Sequence, residues 1–304
     1  MRILFIDKIH THLKNELEKL NHKCETCYES SKGDIEQKIH KYDGIVLRSR
    51  IKIDKQLINK AINLKFIARA GSGLENIDTK YAEKKNIKCY NAAEGNRQAV
   101  AEHALGMILS LFNNLNIANQ EVRKGVWNRE KNRGIEINGK TIGIIGYGNN
   151  GSAFANILKG FKVNILAYDK YLKTYNYKSN MQNIFDNADI LSLHVPFTEE
   201  THYLVDNAYI NKFKKQIYII NTSRGKCVKT IDLVKNLNSG KVIGACLDVL
   251  ENENVSFEQL KTQKSFSNLI KNKNIILSPH IAGWTKESNI KIAKILLNKI
   301  LSSN

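Results

Sequence analysis

TIGIIGYGNNGSAFANILKGFKVNILAYD, residues Thr141 to Asp169, decides the fold. A short apolar run, Thr141 to Ile145, reads as a buried parallel strand. Gly146-Tyr147-Gly148-Asn149-Asn150-Gly151 follows, then a helix-like stretch through Leu158, a second apolar run from Val163 to Tyr168, and an acid, Asp169. Strand, glycine turn, helix, strand and acid is the order of a dinucleotide site. Gly146 can turn where a side chain would clash, Gly148 lets the backbone approach a pyrophosphate, and Gly151 lets the helix pack close to its strand. The helix N-terminus offers N–H groups and a partial positive charge to phosphates. Asp169 stands eighteen residues beyond Gly151 (169 − 151). It can accept hydrogen bonds from both ribose hydroxyls, and its charge repels a 2′-phosphate, so the stretch predicts NAD rather than NADP. The glycines alone would also suit a turn in another α/β protein; the two strands and the acid argue against that.

The 304 residues suffice for two domains, and a hydrophobic content of 42% is ordinary for a globular chain. No apolar run reaches the roughly 18 residues of a membrane span. The start, MRILFIDKIHTHLK, reads as a first strand rather than a signal peptide. These features lead us to expect a cytoplasmic protein with no membrane partner. A formal net charge of +18 suggests nucleic acid, but the basic residues are scattered as single Lys among Asn and Ile, with no basic tract and no interleaved aromatics. A solvated Lys-rich surface and no specific nucleic-acid partner are expected. The five cysteines, Cys24, Cys27, Cys89, Cys227 and Cys246, are odd in number, and Cys24-x-x-Cys27 lacks a second ligand pair. We read them as surface or partly buried free thiols in a reducing compartment, with no metal site.

Around the glycine turn the chain alternates strand-like and helix-like segments. Arg2 to Asp7, Gly44 to Leu47, Phe66 to Ala70 and Ile87 to Tyr90 read as strands. His12 to Leu20 has helical spacing, and Asp54 is placed to cap a further helix. A long helix is expected from about Asn96 to Leu115, leading to Arg123-Lys124-Gly125-Val126-Trp127 and a polar connector, Asn128 to Asn138. Beyond Thr141 the strand-like runs are Asp189 to Val195, Ile217 to Asn221, Val242 to Val249 and Ile275 to Leu277, and Thr285 to Leu301 reads as a closing helix. Because the fingerprint begins only at residue 141, a separate domain must precede it. The prediction is an α/β protein of two Rossmann-like or flavodoxin-like domains with parallel sheets. Residues 1–97 plus 286–304 would form the substrate domain, and the inserted residues 98–285 the cofactor domain.

Three stretches end strands of the cofactor domain, where open α/β sheets bind ligands. They are Asn221-Thr222-Ser223-Arg224-Gly225, Leu247-Asp248-Val249-Leu250-Glu251-Asn252-Glu253 and Ser278-Pro279-His280-Ile281-Ala282-Gly283. They bring a cation, carboxylates and an imidazole to one sheet edge. Here the chain resembles the D-isomer-specific 2-hydroxyacid dehydrogenases, and among them most closely the phosphoglycerate dehydrogenases. The resemblance runs from about Ile45 to Lys286. It rests on Ala70-Gly71-Ser72-Gly73-Leu74-Glu75-Asn76-Ile77-Asp78, Ala101-Glu102-His103-Ala104, Gly146 to Gly151, the strand through His194-Val195-Pro196, and these three stretches.

The resemblance implies an NAD-dependent oxidoreductase with a catalytic set of Arg224, Glu253 and His280. Arg224 would hold the substrate carboxylate and polarise the carbonyl oxygen, for which its planar fork suits it better than Lys. His280 would exchange the hydroxyl proton, and Glu253 would orient the imidazole. Glu251 competes for that place, but the family pattern sets the acid five residues after Asp248. Asn254 stands where the family usually has Pro. Cofactor contacts are implied for Asn149 and Asn150 at the pyrophosphate turn, Asp169 at the adenine ribose, Thr222, Ser223 and Asp248 near the nicotinamide, and the stretch ending at Gly283. Asn150 replaces an apolar residue common there. On the substrate side, the backbone of Ser72 and Gly73, joined by Asn96, matches a carboxylate-binding loop. Arg48, Arg50 and Arg69 are candidates for a substrate phosphate.

The implied substrate is a small 2-hydroxy acid carrying a phosphate. The alternatives are an unphosphorylated acid, as in glyoxylate or hydroxypyruvate reductases, and an NAD-responsive binding protein. The resemblance also implies a homodimer built on the helix from Asn96 and the Gly125–Trp127 turn. Some members carry a C-terminal serine-binding domain. With 24 residues after His280 (304 − 280), this chain is expected to lack it and not to respond to serine.

Overall fold

The pairing of five short strands builds the first unit of the molecule. The computed structural model describes residues 1–253 and 264–302. It divides into two compact units, one of Met1–Arg97 with the C-terminal stretch from Trp284, the other of Gln98–Glu253 with residues up to Gly283. In the first, β1 (Arg2–Phe5), β2 (Lys23–Thr26), β3 (Gly44–Leu47), β4 (Phe66–Arg69) and β5 (Lys88–Tyr90) lie parallel in the order β2-β1-β3-β4-β5. Side chains alternate between two cores, as strand geometry requires. Leu4, Ile6, Ile45 and Leu47 enter one, and Ile3, Phe5 and Val46 the other. β3 is buried along its whole length, the mark of a parallel strand covered on both faces.

The last helix, Lys286–Leu301, places Ile292, Ala293, Leu296 and Ile300 in the core that holds Ile3 and Phe5. Thr285 and Ser288 cap it reciprocally, each side chain accepting the other's backbone N–H at 3.0 Å. Trp284 and Thr285 therefore group with the first unit, two residues ahead of the boundary expected from sequence. Asp54 does cap its helix, accepting the Leu57 N–H at 3.2 Å.

Strand β2 carried no sequence signal. Its residues, Lys-Cys-Glu-Thr, are mostly exposed, since it is an edge strand paired only with β1. Cys24 packs toward the core of Ile3 and Cys27 toward that of Leu4. The two thiols of the Cys-x-x-Cys therefore face opposite sides of the sheet.

The second unit holds six parallel strands: β6 (Thr141–Ile145), β7 (Asn164–Tyr168), β8 (Ile190–Leu193), β9 (Ile217–Asn221), β10 (Val242–Leu247) and β11 (Ile275–Leu277). Their order is β11-β10-β9-β8-β6-β7. The direction of winding reverses at β6, between β7 and β8, and the carboxyl edge beside such a reversal is where α/β sheets bind ligands. The long helix runs Ala93–Phe112 rather than from Asn96 to Leu115. Asn114, at φ 51°, breaks it, and a further helix, Leu115–Arg123, follows. Two thiols also depart from expectation. Cys227 and Cys246 are fully buried, because Cys behaves as a small apolar residue, and burial pushes both thiols up. Among the described residues no helix is long and apolar enough to cross a membrane.

Candidate active site

Three adjacent strands, β9, β10 and β11, deliver the chemistry of the second unit, since β10 pairs with both others. After β9 the chain turns through Thr222 to Arg224. The Asn221 side chain shapes this turn: its Oδ1 accepts the Ser223 N–H at 3.1 Å and the Ser223 hydroxyl at 2.8 Å, and its Nδ2 donates to the Arg224 carbonyl at 3.0 Å. The Arg224 guanidinium donates through Nη1 to the Ser223 carbonyl at 2.6 Å. At Gly225 a Cβ would run into the Leu250 carbonyl, so glycine lets the loops after β9 and β10 touch.

The loop after β10 settles which acid meets the imidazole. Glu251 turns to the Tyr203 hydroxyl and accepts the Thr230 N–H at 2.9 Å. Glu253 accepts the Leu250 N–H through Oε1 and holds His280 Nδ1 at 2.7 Å through Oε2. His280 has φ 56°, unusual for a residue with a β-carbon. Its N–H donates to the Asp248 carbonyl at 2.7 Å. The Asp248 carboxylate is fully buried and accepts the Ile281 and Ala282 N–H groups at 2.9 Å and the Ser278 hydroxyl at 2.6 Å. Asp248, expected beside the nicotinamide, thus spends most of its acceptor sites bracing the loop of His280. His103, whose Nε2 lies 2.8 Å from the Ser278 hydroxyl, completes this brace. Its role was not legible locally, because Ser278 is 175 residues away. Asn254 lies outside the described residues.

At the switch point Gly146 has φ 88°, and a Cβ there would stand 2.6 Å from the His194 carbonyl. A Cβ on Gly151 would fall on the Gly146 carbonyl, whereas one on Gly148 would meet nothing within 4 Å. Gly148 is the N-cap of the helix Asn149–Leu158, and no side chain caps that terminus. Gly148 and Asn149 are exposed there, and Asn150 partly so. Asp169 follows β7. Its carboxylate accepts the N–H groups of Tyr147 at 2.8 Å, Tyr171 at 2.9 Å and Leu172 at 3.0 Å. Burial would push this carboxyl up, but the three donors outweigh it and hold it below its ordinary range. His194 is held down to about 4 by burial, so it is neutral beside the turn.

In the first unit the Ser72 hydroxyl donates to Asn96 Oδ1 at 2.8 Å, and Asn91 holds the Ser72 carbonyl at 2.7 Å. Ser72 and Gly73 are partly exposed. The Arg48 guanidinium carbon lies 3.5 Å from the centre of the Trp284 ring. Arg69 donates through Nε to the Arg48 carbonyl at 3.2 Å, and its guanidinium lies where a Gly71 Cβ would be. Arg50 requires a correction. Its Nε reaches Asp7 at 3.1 Å, Nη1 the Ser30 carbonyl at 2.7 Å, and Nη2 the Ile6 and Cys27 carbonyls at 2.6 and 3.2 Å. A guanidinium spread over an acid and three carbonyls pins loops together and cannot also clamp a substrate phosphate.

Residues 105–282 match the model of the D-isomer-specific 2-hydroxyacid dehydrogenase NAD-binding domain. The chain belongs to that family. It is 34% identical over 278 residues to a D-3-phosphoglycerate dehydrogenase of Archaeoglobus fulgidus, covering 90% of this chain but 51% of that protein. It therefore spans about half the length of the phosphoglycerate dehydrogenases it matches. It is also 34% identical over 272 residues to a hydroxypyruvate reductase of Thermotoga maritima, covering 88% of this chain and 87% of the other. A D-lactate dehydrogenase from Aquifex aeolicus, solved with NAD and lactic acid, superposes with a TM-score of 0.84 at 27% identity, covering all of this chain and 95% of that one.

The residues of this chain suit NAD. An uncapped helix N-terminus, a Gly148 with open space above it and an ionised Asp169 stand together at the switch point. The Asn150 Oδ1 and Thr222 Oγ1 atoms are buried without a hydrogen-bond partner. Buried oxygens of this kind are costly unless something satisfies them, and a dinucleotide offers hydroxyls and an amide. Two glycine variants separate packing from binding. Gly151→Ala should lower both Tm and NADH affinity, because its methyl group strikes the Gly146 backbone. Gly148→Ala should keep Tm within about 2 °C while weakening NADH at least about tenfold, because its methyl group takes only the phosphate's space. Thermal melts and fluorescence titration with NADH check both; unchanged affinity in Gly148→Ala would remove the turn from the cofactor site.

Proposed function

We propose that this dehydrogenase oxidises a D-2-hydroxy acid at C2 with NAD, with 3-phospho-D-glycerate, on the route to serine, as its substrate. The 2.7 Å contact between His280 Nδ1 and Glu253 carries the reading. With Nδ1 turned to a carboxylate, Nε2 on the opposite side of the ring is the nitrogen that serves the substrate hydroxyl. As the C2–O bond becomes a carbonyl, His280 takes the hydroxyl proton, and Glu253 stabilises the imidazolium that results. NAD, when bound, supplies the acceptor for the hydride that leaves C2. Arg224 holds the substrate carboxylate and the developing carbonyl oxygen, with the Ser72–Gly73 backbone and Asn96 as further carboxylate contacts. Asn149, Asn150 and Gly148 would hold the pyrophosphate, Asp169 the ribose, and Thr222, Ser223, Asp248 and Gly283 would line the nicotinamide end.

His280→Ala should lower kcat by about two orders of magnitude or more, the scale of a lost acid–base group, while NADH still binds. A kcat within threefold of wild type would sink the mechanism.

Phosphate recognition falls to Arg48 and Arg69, and this makes the second reading specific. With Arg50 committed elsewhere, the match over most of the Thermotoga maritima reductase supports an unphosphorylated acid such as hydroxypyruvate as that second reading. Kinetics on paired substrates decides between them. On the leading reading, kcat/KM for the phosphorylated acid exceeds that for its unphosphorylated analogue by at least about tenfold, the scale of a charge-assisted contact. Equal values would assign the smaller acid.

A homodimer is the proposed assembly. The helix Leu115–Arg123 has no buried residue in the single chain, and Leu115, Val122, Val126 and Trp127 are 54%, 52%, 47% and 77% exposed along it and the turn that follows. Sedimentation should give twice the 34.6 kDa chain mass, and Val122→Glu with Trp127→Glu should return the monomer. A monomeric wild-type protein would exclude the assignment.

A further inference from the structure

Asp169 is followed at once by a cation, Lys170, and the two residues send opposite messages about the cofactor. An acid at the end of β7 repels a 2′-phosphate, whereas a cation beside it attracts one. The fold resolves the conflict with a residue thirty positions away. Lys170 Nζ lies 2.5 Å from Glu200 Oε1, and the Tyr171 hydroxyl is 3.5 Å from Glu200 Oε2. Both partners of the ion pair are more than half exposed, so its own strength is small. Its placement is what matters. β6 lies between β7 and β8 in the sheet, so the loops after β7 and β8 flank the glycine turn after β6. The Lys170–Glu200 pair joins those two flanking loops.

The turn that carries Glu200 is built to hold it. Thr201 Oγ1 donates to the Pro196 carbonyl at 2.7 Å and accepts the Thr198 N–H at 2.8 Å, and the His202 N–H reaches the Thr198 carbonyl at 3.0 Å. Proximity of Lys170 lowers the Glu200 carboxyl, and Glu200 raises the Lys170 amine, so both stay charged at neutral pH.

We propose that Glu200 is a specificity-determining residue that excludes NADP, acting through Lys170. It draws the Lys170 ammonium away from the place of a 2′-phosphate, and it adds a second carboxylate beside Asp169. With Glu200 the three side chains carry one net negative charge; without it they carry none. The inference rests on the assignment of the turn and Asp169 to NAD.

The test is equilibrium titration of the purified full chain with NADH and NADPH, read by nucleotide fluorescence. In Glu200→Gln the ratio of the NADPH to the NADH dissociation constant should fall about fivefold, the scale of one charge acting through water over several ångströms. Glu200→Asp should keep the wild-type ratio. The double variant Lys170→Met/Glu200→Gln should lose most of the gain, and in Glu200→Gln the gain should shrink in 0.5 M salt. A ratio unchanged in Glu200→Gln, or a gain that survives loss of Lys170, overturns the inference while NADH binding upholds the cofactor site. Failure of the wild-type protein to bind NADH overturns the site assignment and the inference together.

Discussion

His280 is held in a backbone conformation that a residue with a β-carbon resists, and Asp248 supplies the restraint. Backbone strain of this kind costs on the order of 1–3 kcal/mol and persists only where the surroundings over-determine it. Here the Asp248 carbonyl takes the His280 N–H while its buried carboxylate takes the next two N–H groups and Ser278. A fully buried carboxylate is costly unless hydrogen-bonded, and the loop meets that requirement. The imidazole is thereby aimed so that Nδ1 meets Glu253. The same economy appears at Asn221, whose single amide shapes the loop of Arg224.

These loops can be so exact because they grow from adjacent parallel strands. β9, β10 and β11 are paired in register from Gly244 to their carboxyl ends, and Asp248 N–H and Ser278 N–H still bond to the neighbouring strands at Asn221 and Leu247. Arg224 and His280 therefore each stand three residues beyond a strand of the sheet, and Glu253 six. The proposed nucleotide turn sits at the other end of the same edge, where the winding reverses around β6. There Gly146 is pressed against the His194 carbonyl, and an ionised Asp169 locks the next turn to Tyr147. One sheet edge thus carries the groups proposed to meet both ends of a dinucleotide.

Charge is resolved locally rather than by total. The chain carries +18, yet individual cations have tasks of their own. Arg50 pins loops of the first unit, Arg48 lies on Trp284, and Lys170 is claimed by Glu200. Which cation meets an anion is decided by what already holds its donors, and composition does not report that.

The sequence by itself determined the two α/β units, the glycine turn, Asp169 and the family. Those features are written in local periodicity and in residues whose chemistry needs no partner to be recognised. Through its family resemblance it also pointed to Glu253 over Glu251, and geometry places that carboxylate on His280. The tertiary structure decided the rest. Edge strand β2 was illegible because an edge needs no apolar pattern, and the break at Asn114 because a left-handed Asn leaves no mark in the surrounding spacing. Arg50 looked equivalent to Arg48 because both are guanidiniums on one turn; only long-range carbonyls and Asp7, 43 residues away, tell them apart. His103 acts through a residue brought to it by folding, and folding likewise sets Glu200 against Lys170. A side chain's type can be read from one position, but its free donors and acceptors depend on everything packed around it.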